Sequence, residues 1–124
     1  MLVAEDVPAN QRLASIILTR LGCQVDLAAT GVEAVERALT VPYDLIYMDC
    51  QMPELDGFQA TTQIRKFETN RHTPIVALTA SALEGDRNKC LAAGMDDYLS
   101  KPLNQSDFIR TLQRWKQDPP SAST

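Results

Sequence analysis

The sequence predicts an α/β fold of three layers, a parallel sheet covered by helices on both faces. Three observations carry that prediction. Apolar runs of strand length alternate with helical patterns, giving five βα repeats along 124 residues. Stop and turn residues punctuate the repeats at short intervals, so the connections are brief. Parallel strands also need right-handed crossovers, which lay helices on both sides of the sheet. A chain of this length suits one domain, able to bury roughly two thirds of the surface its unfolded form exposes.

Leu2-Val3-Ala4 reads as the first strand and runs into Glu5-Asp6. Residues 8 to 21 place Leu13, Ile16, Ile17 and Leu21 on one helical face. Pro8 suits the first turn, where no N–H is needed, and Gly22 suits the left-handed position beyond the end. Val25-Asp26-Leu27 is a short second strand, and Gly31 to Leu39 a helix with Val32, Val35, Ala38 and Leu39 on one side. Tyr43 to Met48 gives the third strand. It leads through Asp49 into a loop and turn, Cys50-Gln51-Met52-Pro53-Glu54-Leu55-Asp56-Gly57. The third helix spans about Gly57 to Glu68, with Phe58, Ala60, Ile64 and Phe67 as its apolar positions, and a polar stretch, 69 to 73, precedes the fourth strand at Pro74. The fourth helix, about Leu83 to Ala93, has the weakest pattern, with Gly85 early and the small residues Ala80-Ser81-Ala82 ahead of it; Gly94 stops it. Asp97 to Leu99 is the fifth strand. The last helix covers about Gln105 to Gln117, capped by Ser106 or Asn104, with Phe108, Ile109, Leu112 and Trp115 inward. Residues 1 to 117 thus form the domain, and 118 to 124, Asp118-Pro119-Pro120-Ser121-Ala122-Ser123-Thr124, have the composition of a linker or tail.

Composition narrows the function. The net charge is −4 and the basic residues are scattered, so there is no Lys/Arg stripe to neutralise a nucleic-acid backbone, and no direct nucleic-acid partner is expected. Cys23, Cys50 and Cys90 lack the spacing of a zinc site and read as buried or half-buried thiols in a reducing compartment, which makes the cytoplasm the default location. Nothing near Met1 resembles a cleavable leader, and no apolar run approaches the ~20 residues that span a bilayer. No direct membrane contact is expected, although a membrane-bound parent is compatible with the sequence.

The chemistry lies at the strand ends, where α/β folds place their ligands. The first strand ends in Glu5-Asp6, the third in Asp49, the fourth in Thr79, and the fifth in Lys101 followed by Pro102. One sheet edge therefore collects three acids, a hydroxyl and an ammonium. Carboxylates held that closely repel one another unless a cation lies among them. Oxygen ligands without His or Cys favour Mg²⁺ or Mn²⁺ over zinc, and a site that retains several waters suits Mg²⁺ best. Lys101 offers a point charge to a phosphoryl oxygen, Thr79 a donor to another, and Asp49 a nucleophile that forms an acyl phosphate.

With these residues in view, the chain resembles the receiver domain of two-component response regulators, and in particular the receivers of hybrid sensor histidine kinases. The resemblance covers residues 1 to about 117. It rests on Val3-Ala4-Glu5-Asp6, Met48-Asp49-Cys50-Gln51-Met52-Pro53 with Asp56-Gly57, Ala77-Leu78-Thr79-Ala80, Ala93-Gly94-Met95-Asp96-Asp97-Tyr98 and Leu99-Ser100-Lys101-Pro102. It implies a flavodoxin-like fold, sheet order 2-1-3-4-5, and a phosphorelay function in which Asp49 receives a phosphoryl group from the phosphohistidine of a histidine kinase core or a histidine phosphotransfer domain. It also implies that Asp6 and Asp49 hold the metal, with the Gln51 carbonyl as a third protein ligand and Glu5 in contact through metal-bound water. The first acid is Glu where many relatives carry Asp. By the same resemblance the Lys101-Pro102 bond is cis, and Tyr98 is the switch residue that turns inward as Thr79 moves. Such a domain catalyses its own phosphorylation and dephosphorylation rather than turning over a separate substrate.

Other readings are weaker on residue grounds. Asp56, Asp96 and Asp97 read as turn and cap residues. His72, the one histidine, lies in a polar loop and reads as exposed and inert, and Trp115 as an anchor of the last helix. An aspartate-nucleophile phosphohydrolase of the haloacid dehalogenase type needs a second acid two residues after the nucleophile, where this chain has Gln51. A flavodoxin needs a Ser/Thr/Gly-rich loop where Glu5-Asp6-Val7-Pro8 stand. A docking module that works without phosphorylation has no need of the complete set of site residues.

Overall fold

The structure, a computed structural model, describes residues 1–68, 72–80 and 84–115, with the backbone alone for 84–86. In chain order the elements are β1 (Leu2–Ala4), α1 (Pro8–Arg20), β2 (Asp26–Ala28), α2 (Gly31–Thr40), β3 (Ile46–Asp49), α3 (Gly57–Phe67), β4 (Ile75–Thr79), α4 (Glu84–Ala93), β5 (Asp97–Ser100) and α5 (Gln105–Trp115). The strands form one parallel sheet in the order β2-β1-β3-β4-β5. This is the three-layer α/β architecture expected from the alternation of patterns.

Each face of the sheet closes on its own core. On one face Leu2, Ala4, Ile46, Met48, Ile75 and Ala77 pack beneath α2, α3 and α4 through Ala34, Ala60, Ile64 and Cys90. On the other, Val3, Tyr47, Val76, Leu78 and Leu99 meet α1 and α5 through Ala14, Leu18 and Phe108. The alternation of side chains along each strand divides the two sets, so β1, β3 and β4 are apolar on both faces. Tyr47 spans its layer to place its hydroxyl 2.7 Å from Thr111 Oγ1, with its ring edge-on to Phe108. Cys23, Cys50 and Cys90 are buried and unbridged.

Several boundaries and faces differ from expectation. β2 starts one residue later than predicted. β3 starts at Ile46 rather than Tyr43, because Tyr43 leaves the ladder and donates its hydroxyl to Asp26 Oδ2 at 2.7 Å. β4 starts at Ile75, with Pro74 supplying only a carbonyl to Ile46 N. In α1 the buried residues are Ala14 and Leu18, whereas Leu13 and Ile16 face out. Val32 and Leu39 of α2 and Phe67 of α3 are also exposed, while Gly31, Ala34 and Thr61 are buried; Ala60 and Ile64 are buried as expected. Where a helix lies closest to the sheet a small side chain fits, so the apolar stripe read from large residues sits one position off the packed face. In α5 the buried residues are Phe108 and Thr111; Ile109, Leu112 and Trp115 are half-buried.

The helix starts follow their caps. Asp56 accepts from Gln59 N at 2.8 Å while Gln59 Oε1 accepts from Asp56 N, a reciprocal capping box for α3. Asn104, rather than Ser106, caps α5 by accepting from Asp107 N. Gly22 and Gly94 carry the positive φ angles, 88° and 103°, that the helix ends require. Leu83, residues 116 and 117 of the expected last helix, and the expected linker 118 to 124 lie outside the described residues.

Two acids do more than cap. Asp97 is buried and accepts from Trp115 Nε1 at 2.8 Å and from Arg110, fastening α5 to β5. Asp96 bonds Arg65, Ile75 N and His72 Nε2 in a cluster at the end of β4 opposite Thr79. His72 is exposed as expected, and its other ring nitrogen lies 3.7 Å from Glu68.

Candidate functional site: an acidic cleft at the ends of β1 and β3

Connections leave β1 and β3 toward opposite faces of the sheet, which opens a crevice at their carboxyl ends. β1 delivers Glu5 and Asp6 to that crevice and β3 delivers Asp49. Ligand oxygens of these three acids all lie within 4.8 Å of one another. Glu5 is wholly buried and Asp49 nearly so, whereas Asp6 is half-exposed at the mouth.

Lys101 reaches this cluster from the end of β5. Its Nζ donates to Asp49 Oδ2 at 3.0 Å and lies 3.1 Å from Glu5 Oε1. The Lys101-Pro102 peptide is cis, and Lys101 N donates to the Thr79 carbonyl at 2.8 Å, so β4 and β5 are tied where their functional side chains emerge. Backbone donors steady the acids: Gln51 N bonds Asp49 Oδ1 and Val7 N bonds Glu5 Oε2, each at 3.1 Å. The turn after Asp49 returns at once into α3. Gly57 makes that possible, because a Cβ there would sit 2.1 Å from the Asp49 carbonyl oxygen.

The charges do not balance. Three carboxyl groups face one ammonium. Burial, and next a hydrogen bond to Asp49, hold the Glu5 carboxyl above its usual range. For Lys101 burial works against the charged form, but the bonds to Asp49 and Glu5 outweigh it and its pKa is raised. Glu5 Oε1 is buried and, among the described residues, has the ion-pair contact with Lys101 but no hydrogen bond. An oxygen-only cluster with an excess of negative charge and an unsatisfied buried carboxylate oxygen fits a hard divalent cation such as Mg²⁺.

The expected residues therefore converge. Glu5, Asp6, Asp49 and Lys101 form the cluster; Gln51 is exposed and lines the same cleft, whose volume is about 690 Å³. Thr79 is buried at the end of β4 and lines an adjoining concavity with Asp49 and Lys101. Tyr98 stands apart from the acids. It pairs with Ala77 in register while Thr79 pairs with Ser100, so Thr79 and Tyr98 share one face of the sheet as diagonal neighbours. The Tyr98 ring lies under the Arg87 guanidinium of α4, 5.1 Å from its centroid. Phe58 and Lys89 also line both concavities. Sequence reading assigns Phe58 to the core and passes over Lys89, because the pattern of α4 is too weak to show which side chains turn toward the sheet edge.

Comparison with known proteins agrees with this geometry. The sequence profile of the response regulator receiver domain matches residues 1–113. Hybrid signal transduction histidine kinase G of Dictyostelium discoideum is 48% identical over 118 residues, 93% of this chain but 3% of that protein, so the chain spans a small fraction of that curated relative. Among solved structures, the receiver domain of the sensor histidine kinase PA1611 from Pseudomonas aeruginosa, with a magnesium ion coordinated in its active site cleft, superposes with a TM-score of 0.85 at 51% identity, covering 92% of this chain and 93% of that one. The receiver domain of Ssk1 from Saccharomyces cerevisiae, crystallised with the histidine phosphotransfer protein Ypd1, gives 0.87 at 34% identity over 93% of this chain and 86% of that one.

Proposed function

The chain belongs to the response regulator receiver family, and from that premise we propose that it is a phosphorelay receiver whose Asp49 accepts a phosphoryl group from a phosphohistidine. The observation that carries this reading is Lys101 Nζ set between Asp49 and Glu5 beside Asp6 at the ends of β1 and β3.

Asp49 is the nucleophile. A carboxylate oxygen attacks phosphorus in line, the P–N bond breaks, and the histidine leaves with the electron pair and takes up a proton. Glu5, Asp6, Asp49 and the Gln51 carbonyl would hold Mg²⁺, which when bound neutralises the carboxylates and the charge that builds on the phosphoryl oxygens. The Lys101 ammonium, already beside Asp49, turns to a phosphoryl oxygen as the acyl phosphate forms, and the Thr79 hydroxyl donates to another. The phosphoryl group is then passed on or hydrolysed.

The donor is a histidine kinase core or a histidine phosphotransfer domain, docked over the site rim and α1, including Pro8, Asn10 and Leu13. The outward-facing Val7, Leu13 and Ile16 support that surface. The likeness of this chain to hybrid kinase G and to the PA1611 receiver supports a parent of the hybrid histidine kinase type. In that setting residues 1 to 117 are the receiver, 118 to 124 a tether, and the cytoplasm the location. Among the described residues no helix is long and apolar enough to cross a membrane.

Incubation with a small phosphodonor and Mg²⁺ tests the reading. One hydroxylamine-sensitive phosphoryl group is expected on Asp49, none on Asp49→Asn and none in chelator. Equal labelling of the Asn variant refutes the assignment and leaves the docking-module reading.

A further inference from the structure

Lys101 is the cation at the centre of the cleft, but its charge is already matched by two carboxylates, at 3.0 and 3.1 Å. Lys89 is placed differently. It is an exposed residue of α4 whose ammonium lies 5.5 Å from the centroid of the Phe58 ring on α3. With Phe58 it lines the concavity that holds Asp6, Asp49 and Lys101, and also the adjoining one that holds Thr79. Among the described residues Lys89 has no salt bridge, and the contact its ammonium makes is with the Phe58 ring at the rim of the cleft. The ammonium lies over an aromatic face, an arrangement that favours the cation where it is.

A phosphodonor is itself an anion, and it approaches a cleft lined on the β1 side by Asp6, with Glu5 buried behind it, and by Asp49. The α3–α4 side, where Phe58 and Lys89 stand, is the wall with a cation that no carboxylate among the described residues pairs. We propose that Lys89 is a specificity-determining residue of the phosphoacceptor cleft, a second positive charge that draws in dianionic phosphodonors in preference to less charged ones. This rests on the reading of Asp49 as phosphoacceptor. Lys89 acts on capture of the donor through the field in the cleft, and Phe58 is the platform that positions it.

The experiment measures second-order rates of Asp49 phosphorylation at saturating Mg²⁺ with acetyl phosphate, a dianion at neutral pH, and with phosphoramidate, which carries less net charge. The proteins are the unaltered chain, Lys89→Met, Lys89→Arg and Lys89→Glu. Methionine keeps an apolar stem and removes the charge. At low salt Lys89→Met should slow acetyl phosphate by about threefold to tenfold and phosphoramidate by less, with the gap closing as salt is raised to about 0.5 M. Lys89→Arg should stay within about twofold of the unaltered chain, and Lys89→Glu should be slower than Lys89→Met. Mg²⁺ affinity by calorimetry should hold or rise in Lys89→Met, since a cation has left the neighbourhood of the metal. If Lys89→Met matches the unaltered chain with both donors, or slows both equally at every salt concentration, Lys89 has no part in selection and the inference fails. Absence of labelling on the unaltered chain would instead remove the phosphoacceptor reading on which it rests.

Discussion

Glu5 has no exposed surface, and its Oε1 lacks a hydrogen bond among the described residues. Burying an acid there costs stability in the metal-free protein, a cost that binding of a divalent ion offsets. Glu5→Gln should therefore stabilise the metal-free domain by about 1 kcal/mol in urea titrations while weakening Mg²⁺ binding. The sign with pH is set by the upward displacement of the Glu5 carboxyl. Its protonated form supports the fold fully below the ordinary value of 4.5, and that support is lost as pH rises through the displaced value. The advantage of the Gln variant should accordingly shrink as pH falls toward 4.5; an advantage independent of pH would show that charge burial is not its cause. Asp6 and Lys101 separate in another way. Asp6→Asn removes a ligand charge and should weaken Mg²⁺ binding roughly tenfold by calorimetry, whereas Lys101→Ala should leave metal affinity near its original level and slow phosphoryl transfer by 10²-fold or about that. Equal effects on affinity would mean that the two roles are misassigned. These residues were legible in the sequence because each terminates a strand, and strand ends of a parallel sheet meet at one edge. Lys89, Arg87 and Asp97 were not, since their roles depend on how a helix is rotated over the sheet.

Helix rotation is also where sequence reading was least accurate for whole elements. Strands buried on both faces, as β1, β3 and β4 are, need no choice of face, and they were placed to within a few residues. A helix needs that choice, and size misleads it. In α1 the small Ala14 is wholly buried, while the larger Ile16 is 45% exposed; in α3 Phe67 is 56% exposed and Thr61 is buried. The joints between elements carry the sharper expectations. Gly57→Ala drives a Cβ to 2.1 Å from the Asp49 carbonyl oxygen, so α3 must back away from β3. A loss of about 2 to 3 kcal/mol in urea titration is expected, with slower phosphorylation because the nucleophile moves with its own backbone. Stability within 0.5 kcal/mol or about that of the unaltered chain would show that the junction relaxes freely. At the other end of the sheet, Trp115→Phe removes the 2.8 Å bond to buried Asp97 and should cost about 1 to 2 kcal/mol. Little of that cost should remain in an Asp97→Ala background, since the acceptor is then already absent.

At the scale of the whole molecule, the sheet is a rigid platform between two apolar layers, and what can change lies along one flank. Thr79 and Tyr98 are diagonal neighbours on the face covered by α2, α3 and α4, and Arg87 covers the Tyr98 ring from α4. Residues 81 to 83, which join β4 to α4, lie outside the described residues. New phosphoryl oxygens on Asp49 offer the Thr79 hydroxyl an acceptor. We propose that, as Thr79 moves toward them, it vacates space into which Tyr98 turns, carrying the ring from beneath Arg87 and shifting α4 with it. The contacts that differ between the two states amount to a hydrogen bond, one cation–aromatic contact and local repacking, which together bias the equilibrium by only ~1 to 3 kcal/mol. Both states should then be sampled before phosphorylation. Amide exchange with and without beryllofluoride and Mg²⁺ reads this out: protection should change from residue 80 to 108, across α4, β5 and the start of α5, and stay constant in α2. Arg87→Ala should shift the unphosphorylated pattern part of the way toward the beryllofluoride-bound one, because it removes the contact that holds the Tyr98 ring in its present position. Changes centred on α2, with 80 to 108 unaltered, would place the moving flank on the other side of the sheet and rule out coupling through Thr79 and Tyr98.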